Sequence, residues 1–458
     1  MNRITLIRPN MTGIRASDAL EPLALAILAG MTPEEIEVVL IDERLEPIRY
    51  DEPTDLVAIS VETFTARNAY QIAARFRQRG VRVVLGGCHP TFLPEEALAY
   101  ADAVVVGDAE GLWPEVIRDA RAGRLQRVYR RSEPPAMDGM RVDRSVFHRK
   151  RYAPVTPIQF GRGCRFACDF CSIHALYGNT LRQRPVDEVV REIGEIGCRN
   201  VFFVDDNLFI DPARAEEFFR ALVPLKIGWT CQVSIDVTRN ARLLDLMAQS
   251  GCHAVVVGFE SLDDRNLAQM RKPWNLEPDG YATAIRKLQD RGIMIYGTFV
   301  FGYDEDTVDS FDVALEFALR WNFFLANFNP LTPTPGTRLY DRLRREGRLI
   351  YDRWWLDSDY RYGNAMFHPR KMTAGELTEG CYRTRLAFNR YGSIFRRAMA
   401  WKTNGRGPRR LGLHLLSNFI SRREIRRKQG LRLGDSSPLE PAAVAEVEGA
   451  EKQQVGHE

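Results

Sequence analysis

Short apolar runs rich in β-branched residues recur along the first 125 residues, at Ile4–Ile7, Val38–Ile41, Leu56–Val61, Val81–Leu85 and Ala103–Val106. Each is too short for a helix and continuous enough for a strand buried on both faces. Between them, Leu20–Gly30, Ala66–Arg79, Glu95–Tyr100 and Leu112–Ala122 carry helical spacing. The alternation predicts an α/β domain over residues 1–125 with a doubly wound parallel sheet. Ligands on such sheets sit beyond the carboxyl ends of the strands. Here those ends carry Pro9-Asn10, Ser60-Val61-Glu62-Thr63, Gly86-Gly87-Cys88-His89-Pro90-Thr91 and Gly107-Asp108-Ala109-Glu110.

Residues 126–153, with Pro134-Pro135 and many arginines, have no period of their own and read as a linker. A second βα series follows. Its predicted strands are Pro157–Phe160, Val201–Val204, Thr230–Ile235, Ala254–Gly258, Met294–Val300 and Phe324–Asn327, with helices at Val186–Ile196, Ala213–Leu222, Ala241–Ser250, Ala282–Arg291 and Ser310–Arg320. Six strands predict a partial (β/α)6 barrel over residues 154–345, since the two further strands of a complete barrel have no counterpart. Residues 346–434 form a helical extension that begins with an aromatic-rich stretch (Tyr351, Trp354, Trp355, Tyr360, Tyr362, Phe367). With the helix Ala374–Tyr391 it is expected to close the barrel mouth. Residues 435–458, mostly Pro, Ala, Glu and Gln, read as a disordered tail.

A hydrophobic fraction of 45% and a charged fraction of 27% are those of a globular protein. No run approaches the ~20 apolar residues of a membrane span, and the first residues lack the apolar core of a secretory signal, so a cytoplasmic protein is expected. The net charge of +4 is mild but unevenly placed. Arg396, Arg397, Lys402, Arg406, Arg409, Arg410, Arg422, Arg423, Arg426, Arg427 and Lys428 are opposed only by Glu424.

Three of the eight cysteines crowd into Cys164-Arg-Phe-Ala-Cys168-Asp-Phe-Cys171, just after a predicted strand and the turn Gly161-Arg162-Gly163. The other five, Cys88, Cys198, Cys231, Cys252 and Cys381, are scattered and are expected as buried small hydrophobes. Three thiolates in one loop can hold a [4Fe–4S] cube with one iron left open to a non-protein ligand, and an open iron implies catalysis. A structural zinc site normally closes with four ligands, and a ferredoxin-like carrier needs a fourth cysteine nearby. The Cys-x3-Cys-x2-Cys spacing, with the aromatic Phe170 before the last cysteine, resembles the signature of the radical S-adenosylmethionine (SAM) superfamily. The resemblance implies that Cys164, Cys168 and Cys171 bind the cluster. It also implies that the open iron binds SAM, and that reductive cleavage yields a 5′-deoxyadenosyl radical that abstracts hydrogen from an unactivated carbon.

The same resemblance nominates SAM contacts by their place after the strands: Asp205, Asp206 and Asn207 after the second, Gln232 and Ser234 on the third, Glu260 and Ser261 after the fourth, and Gly297 and Gly302 on the fifth. The acidic trio departs from the commonest Gly-Gly-Glu form, and each polar residue can equally serve as a cap or loop hydrogen-bonder. A flavodoxin-like domain ahead of such a barrel resembles the cobalamin-binding domain of the cobalamin-dependent subfamily. The likeness covers about residues 1–345 and nominates Ser60, Gly86, Gly87, His89, Pro90, Thr91, Gly107 and Glu110 as cobalamin contacts. The Asp-x-His-x-x-Gly motif of histidine-on cobalamin domains is absent, so His89 is read as a loop or cofactor-tail contact. No residue is nominated as a general acid or base.

Radical-mediated C-methylation of a lipid, tetrapyrrole or other specialised metabolite is the reaction this resemblance favours. A cyclisation, rearrangement or oxidation with the same cofactors, and a non-enzymatic corrinoid or iron–sulfur carrier, are the alternatives. A reductase or flavodoxin-type electron donor is the expected partner. Leu411, Leu415, Leu416, Phe419 and Ile420 fall roughly on a helical stripe between arginine clusters, as in helices lying on anionic membranes, although a helix packed on the barrel has the same pattern. Peripheral membrane contact through residues 396–432 is therefore one expected role of this region. Nucleic acid ranks last, because no recognisable nucleic-acid module accompanies the charge.

Overall fold

The computed structural model describes residues 1–276 and 280–439. The first sheet comprises β1 (Arg3–Arg8), β2 (Glu37–Asp42), β3 (Leu56–Ser60), β4 (Arg82–Gly86), β5 (Ala103–Val106) and β6 (Val128–Arg130). Its order is β2-β1-β3-β4-β5-β6, with every neighbouring pair parallel. The chain passes from β1 outward to β2 and returns to β3 on the other side of β1, which leaves a crevice at the carboxyl ends. Alternate residues serve opposite faces: Leu56 and Ala58 pack with Leu25, Trp113 and Val116, whereas Val57 and Ile59 pack with Tyr70, Ile72 and Phe76.

β6 lies inside the stretch read as a linker. Its sequence hid it, because only Tyr129 of Val128-Tyr129-Arg130 is buried. An edge strand with one buried residue gives no periodicity, and the Tyr129 hydroxyl holds it in place by donating to Asp119 at 3.1 Å.

The second sheet contains β7 (Thr156–Ile158), β10 (Asn200–Phe203), β11 (Gly228–Val233), β12 (Cys252–Glu260), β13 (Met294–Phe301) and β14 (Leu325–Pro330); between β7 and β10 a small antiparallel hairpin pairs β8 (Gly161–Arg162) with β9 (Arg182–Gln183). Among the described residues its order is β14-β13-β12-β11-β10-β7, parallel throughout, so β7 and β14 remain edges and the barrel stays open, as six predicted strands require. Trp229, Cys231, Val255, Val257, Phe299 and Phe328 point outward into one core beneath the helices. The alternate set, Phe202, Thr230, Gln232, Val256, Tyr296, Thr298, Asn327 and Asn329, therefore faces the barrel interior.

The extension departs from expectation. Trp354, Trp355, Tyr360 and Met366 fill the core on one face of the first sheet, and the Trp355 indole donates to Glu96 at 3.0 Å. The aromatic stretch thus pins the barrel to the first domain, and the helix Ala374–Phe388 adds Leu377, Cys381 and Phe388 to the barrel core. Two more helices, Tyr391–Ala398 and Gly407–Lys428, are clamped to the barrel by the buried Arg397. Its guanidinium donates to the carbonyls of Phe323, Phe324 and Phe388 and to Asn418. Residues 435–439 of the stretch read as a disordered tail are held against the first domain. Asp435 pairs with Arg75, and Gln71 donates to the Ser437 carbonyl at 2.8 Å. Residues 440–458 lie outside the described residues.

Candidate active site

The cysteine loop runs from Gly163 to Cys171 and leads into the short helix Ser172–Tyr177. Gly163 has φ +95°, and a Cβ there would lie 1.9 Å from the Thr180 carbonyl oxygen, so only glycine lets the loop leave the β8–β9 hairpin this closely. Burial pushes the thiol of Cys164 up to about 11 and that of Cys168 up to about 12, and raises Cys171 as well; Cys171 adds to the rise at Cys164, and Cys164 and Cys171 both add to it at Cys168. Three half-buried thiols gathered in one loop, with Cys168 within electrostatic reach of the other two, fit a cluster whose irons take up thiolate charge.

Asp205 and Asp206 hold the backbone that leads into this loop. The two carboxylate oxygens of Asp205 accept from the amides of Phe160 and Gly161, and Asp206 accepts from Gly163 at 2.8 Å. Burial raises Asp205 to about 7 in spite of the amides it accepts from. Asn207 donates to Ser234 at 3.0 Å, and Ser234 donates in turn to Asp236. Gln232 reaches back to the Asp206 carbonyl at 3.1 Å. The trio at the second strand's end is therefore joined to the third strand and to the cysteine loop.

Glu260 sits at φ +62°, where β12 and β13 slip register, and its carboxylate meets the buried Lys272 at 2.8 Å. Lys272 also lowers the Cys168 thiol and Glu260 raises it, so this pair faces the cysteine loop. Ser261 is buried and accepts from the Asp263 amide. Packing accounts for both nominated glycines. A Cβ at Gly297 would meet Phe323 at 2.5 Å on the outward side of β13, and one at Gly302, which has φ +111°, would meet Phe367 at 2.7 Å.

A cavity of about 350 Å³ lies beyond the carboxyl ends of β3, β4 and β5. Ser60, Gly86, Gly87, Thr91, Gly107 and Glu110 of the nominated cobalamin contacts line it. His89 and Pro90 are buried away from it. His89 instead shares Nε2 with Tyr70 and Glu96, each at 3.1 Å, and meets Trp355 edge to face. Cys88, expected only as a buried hydrophobe, lines the cavity.

The barrel supplies the opposite wall with Gln159, Arg162, Leu176, Tyr177 and Val204, none of which the sequence singled out. Arg162 precedes the cysteine loop and Tyr177 follows it, so the cavity lies between the first domain's loops and the two segments that flank the cysteine loop, although no residue from Gly163 to Cys171 lines it. Arg162 meets Asp108 at 3.2 Å and Glu110 at 2.6 Å, Arg182 meets Asp108 at 2.7 Å, and the Tyr177 hydroxyl donates to Asp108 at 3.0 Å. Burial opposes ionisation of Asp108, but Arg162 and Arg182 hold it below the usual carboxylate range.

Two further cavities, of about 400 and 460 Å³, adjoin one another between the domains and share Asp18, Asn329, Tyr362, Arg385 and Lys428. Tyr296, Asn327 and Asn329 reach them from the barrel interior and Asn10 and Thr65 from the first sheet. Tyr296, Asn327 and Asn329 stand at alternate places of apolar strands, a pattern that does not say what they face, and Asn10 and Thr65 lie outside the strands and carry no such pattern.

An open six-stranded barrel with a three-cysteine loop, joined to a doubly wound domain across a shared cavity, defines the class of a radical SAM enzyme with a corrinoid-binding domain. Residues 158–318 match the radical SAM superfamily model and residues 11–117 match the B12 binding domain model. The chain is 31% identical to the bacteriochlorophyllide d C-12(1)-methyltransferase of Chlorobaculum tepidum over 78% of this chain and 80% of the relative. It is 26% identical to the hopanoid C-2 methylase of Rhodopseudomonas palustris over 72% of this chain and 66% of that protein. It is 24% identical to the anaerobic magnesium-protoporphyrin IX monomethyl ester cyclase of Cereibacter sphaeroides over 70% of this chain and 57% of that one. The fold is shared with the radical SAM methyltransferase TsrM from Kitasatospora setae, solved with cobalamin and a [4Fe–4S] cluster, at TM-score 0.59 and 17% identity over 76% of this chain and 75% of that one.

The chain belongs to the cobalamin-dependent radical SAM methyltransferase family. It is an enzyme, which sets aside the carrier reading, and its cofactors are SAM, a [4Fe–4S] cluster and cobalamin.

Proposed function

We propose that this enzyme transfers a methyl group to an unactivated carbon of a large, mostly apolar substrate of the tetrapyrrole or lipid class. The observation that carries this reading is the cavity bounded on one side by the glycine-rich strand ends of the first domain and on the other by Arg162 and Tyr177, which flank the cysteine loop. When bound, the cluster and SAM supply a carbon-centred oxidant, and cobalamin supplies a methyl carrier.

The protein's own residues bind and orient. Cys164, Cys168 and Cys171 hold the cluster, and Asp205 and Asp206 fix the backbone that presents them. Glu260 and Lys272 provide paired charge for the amino-acid end of SAM. Ser60, Gly86, Gly87, Thr91 and Gly107 leave room for the corrinoid, and the apolar faces of Leu23, Leu28 and Trp113 exclude water from it. The separate interdomain chamber, with Tyr296, Asn327 and Arg385, takes the substrate. The electron comes from an external reductase or flavodoxin-type donor.

Anaerobically reconstituted enzyme, given SAM, a low-potential reductant and a chlorophyllide-type substrate, should form 5′-deoxyadenosine, S-adenosylhomocysteine and methylated product. The cyclase relative favours one second reading, ring closure without methyl transfer. Deoxyadenosine with no S-adenosylhomocysteine and no mass gain would decide for it.

A further inference from the structure

Large apolar side chains are exposed at a few places among the described residues, and one region collects most of them. Tyr391, Phe395, Met399, Trp401, Leu416 and Phe419 lie on the last two helices and the loop between them, and the Trp401 side chain is 76% exposed. Three of them form one cluster: Phe419 meets Tyr391 and Phe395 with ring centroids 6.1 and 6.3 Å apart, and Met399, Trp401 and Leu416 are exposed on the same helices and the loop that joins them.

The long helix Gly407–Lys428 is divided lengthwise. His414, Asn418 and Glu424 are buried, while Arg409, Gly412, Leu416, Phe419, Arg423 and Arg426 are exposed at alternating steps of three and four residues. Its outer stripe is therefore apolar in the middle and basic at both ends. Arg390, Arg396 and Lys402 continue the basic rim on the neighbouring segment, where they are also exposed.

Charge carried by this segment is almost entirely of one sign. Between Gly380 and Gly434 the chain has fifteen Lys and Arg against one acidic residue, Glu424. Glu424 is buried and paired with Arg427 and Lys428, so it does not reach the surface. Among the described residues no ion pair involves Arg390, Arg396, Arg409, Arg423 or Arg426, whereas Lys402 reaches Asp290.

A basic rim around exposed aromatic side chains complements a plane that is anionic outside and apolar beneath, the interface of a bilayer containing acidic lipids. An acidic protein partner would be met by the arginines, but it would not account for a tryptophan and a phenylalanine pair standing clear of the fold. No helix among the described residues is long and apolar enough to cross a membrane, so the contact is with the surface. The opposite side of the same helix supplies Ser417, Ile420, Ser421 and Glu424 to the wall of the interdomain chamber.

We propose that the outer face of Tyr391–Ala398 and Gly407–Lys428 docks this enzyme on an anionic lipid surface, with the interdomain chamber directly behind the docking helix. The placement of the chamber gains its meaning from the proposed substrate class; the docking itself does not depend on it.

Full-length reconstituted protein should float with phosphatidylcholine vesicles that contain phosphatidylglycerol, much less with phosphatidylcholine alone, and progressively less as salt rises. The triple substitution Phe395→Ser, Trp401→Ser and Phe419→Ser, and separately Arg396→Glu, Arg423→Glu and Arg426→Glu, should each lower vesicle affinity by on the order of a hundredfold. Because all six side chains are exposed, iron content and circular dichroism should not change. Flotation independent of acidic lipid, or unaffected by either triple variant, would overturn the proposal. Dimers that both triple variants dissolve, without vesicle binding by the parent, would assign the face to a second copy instead. Flotation is read without SAM or substrate, so its failure and a failure of the proposed chemistry are separate results.

Discussion

Arg162 donates to Glu110 at 2.6 Å across the boundary between the two sheets, and with Asp108 it ties the last strand-end loop of the first domain to the residue just before the cysteine loop. All three side chains are largely buried, with 10% of Arg162 and 9% of Asp108 exposed. Removing one partner of such a pair leaves uncompensated charge and costs about 3–5 kcal/mol, whereas the intact pair can be nearly neutral against an apolar replacement.

Arg162→Met should therefore destabilise the protein by about 3 kcal/mol, with Arg182 still facing Asp108 and softening the loss. Cobalamin affinity should fall about tenfold as the Gly107–Glu110 loop loosens. Denaturant unfolding and cobalamin titration measure the two effects, and unchanged cobalamin affinity would separate the loop from the cofactor.

Cys164→Ala, Cys168→Ala and Cys171→Ala should each leave the fold intact and reduce reconstituted iron to near zero. The same substitution at Cys231, Cys252 or Cys381, which are buried in the cores, should leave iron content unchanged. Iron and sulfide assays with visible absorbance make the comparison.

Ala24→Trp should block the first domain's cavity from its helical wall, where Ala24 is exposed to it. Cobalamin binding should be lost while iron loading persists. Loss of both would mean that the cavity and the cluster loop are not separable sites.

His89→Gln should cost about 1–3 kcal/mol of stability by leaving Tyr70 and Glu96 short of a partner. It should not alter the electron paramagnetic resonance of bound cob(II)alamin, because His89 is turned into the core and away from the cavity. Loss of a nitrogen hyperfine pattern in the variant would contradict this placement.

His414 donates to the Ile394 carbonyl at 3.0 Å, and its other ring nitrogen faces the Asn418 amide. Burial pushes its pKa down to about 4. A histidine whose folded pKa lies below its unfolded value gives stability that is present above the unfolded pKa and lost as pH falls between about 6.5 and about 4. The loss should reach roughly 2 kcal/mol at pH 5. Unfolding of His414→Gln at pH 7 and pH 5 should show a shallower loss than the parent.

Most of the architecture was legible because its strands are continuous apolar runs and its helices are periodic. β6 was not, since Val128-Tyr129-Arg130 buries one residue, and neither was the destination of Trp354 and Trp355, since an aromatic stretch does not say which surface it will cover. The cysteine loop was legible because ligand spacing is local. The remainder of the site forms where two domains meet, and Arg162, Tyr177, Asn327 and Arg385 acquire meaning only from neighbours distant in sequence. His89 misled for the converse reason: it stands among cavity-lining residues, but the short helix Cys88–Phe92 turns it into the core.

The proposed cluster and cobalamin sites lie on either side of the Arg162–Asp108 boundary, and electron paramagnetic resonance of cob(II)alamin in the reconstituted enzyme tests most directly the claim that the two centres meet there. Reducing the cluster from its diamagnetic to its paramagnetic state should broaden the cobalt signal and speed its relaxation, and Cys168→Ala should abolish the effect. A cobalt signal indifferent to the cluster's oxidation state, in protein loaded with both, would contradict it.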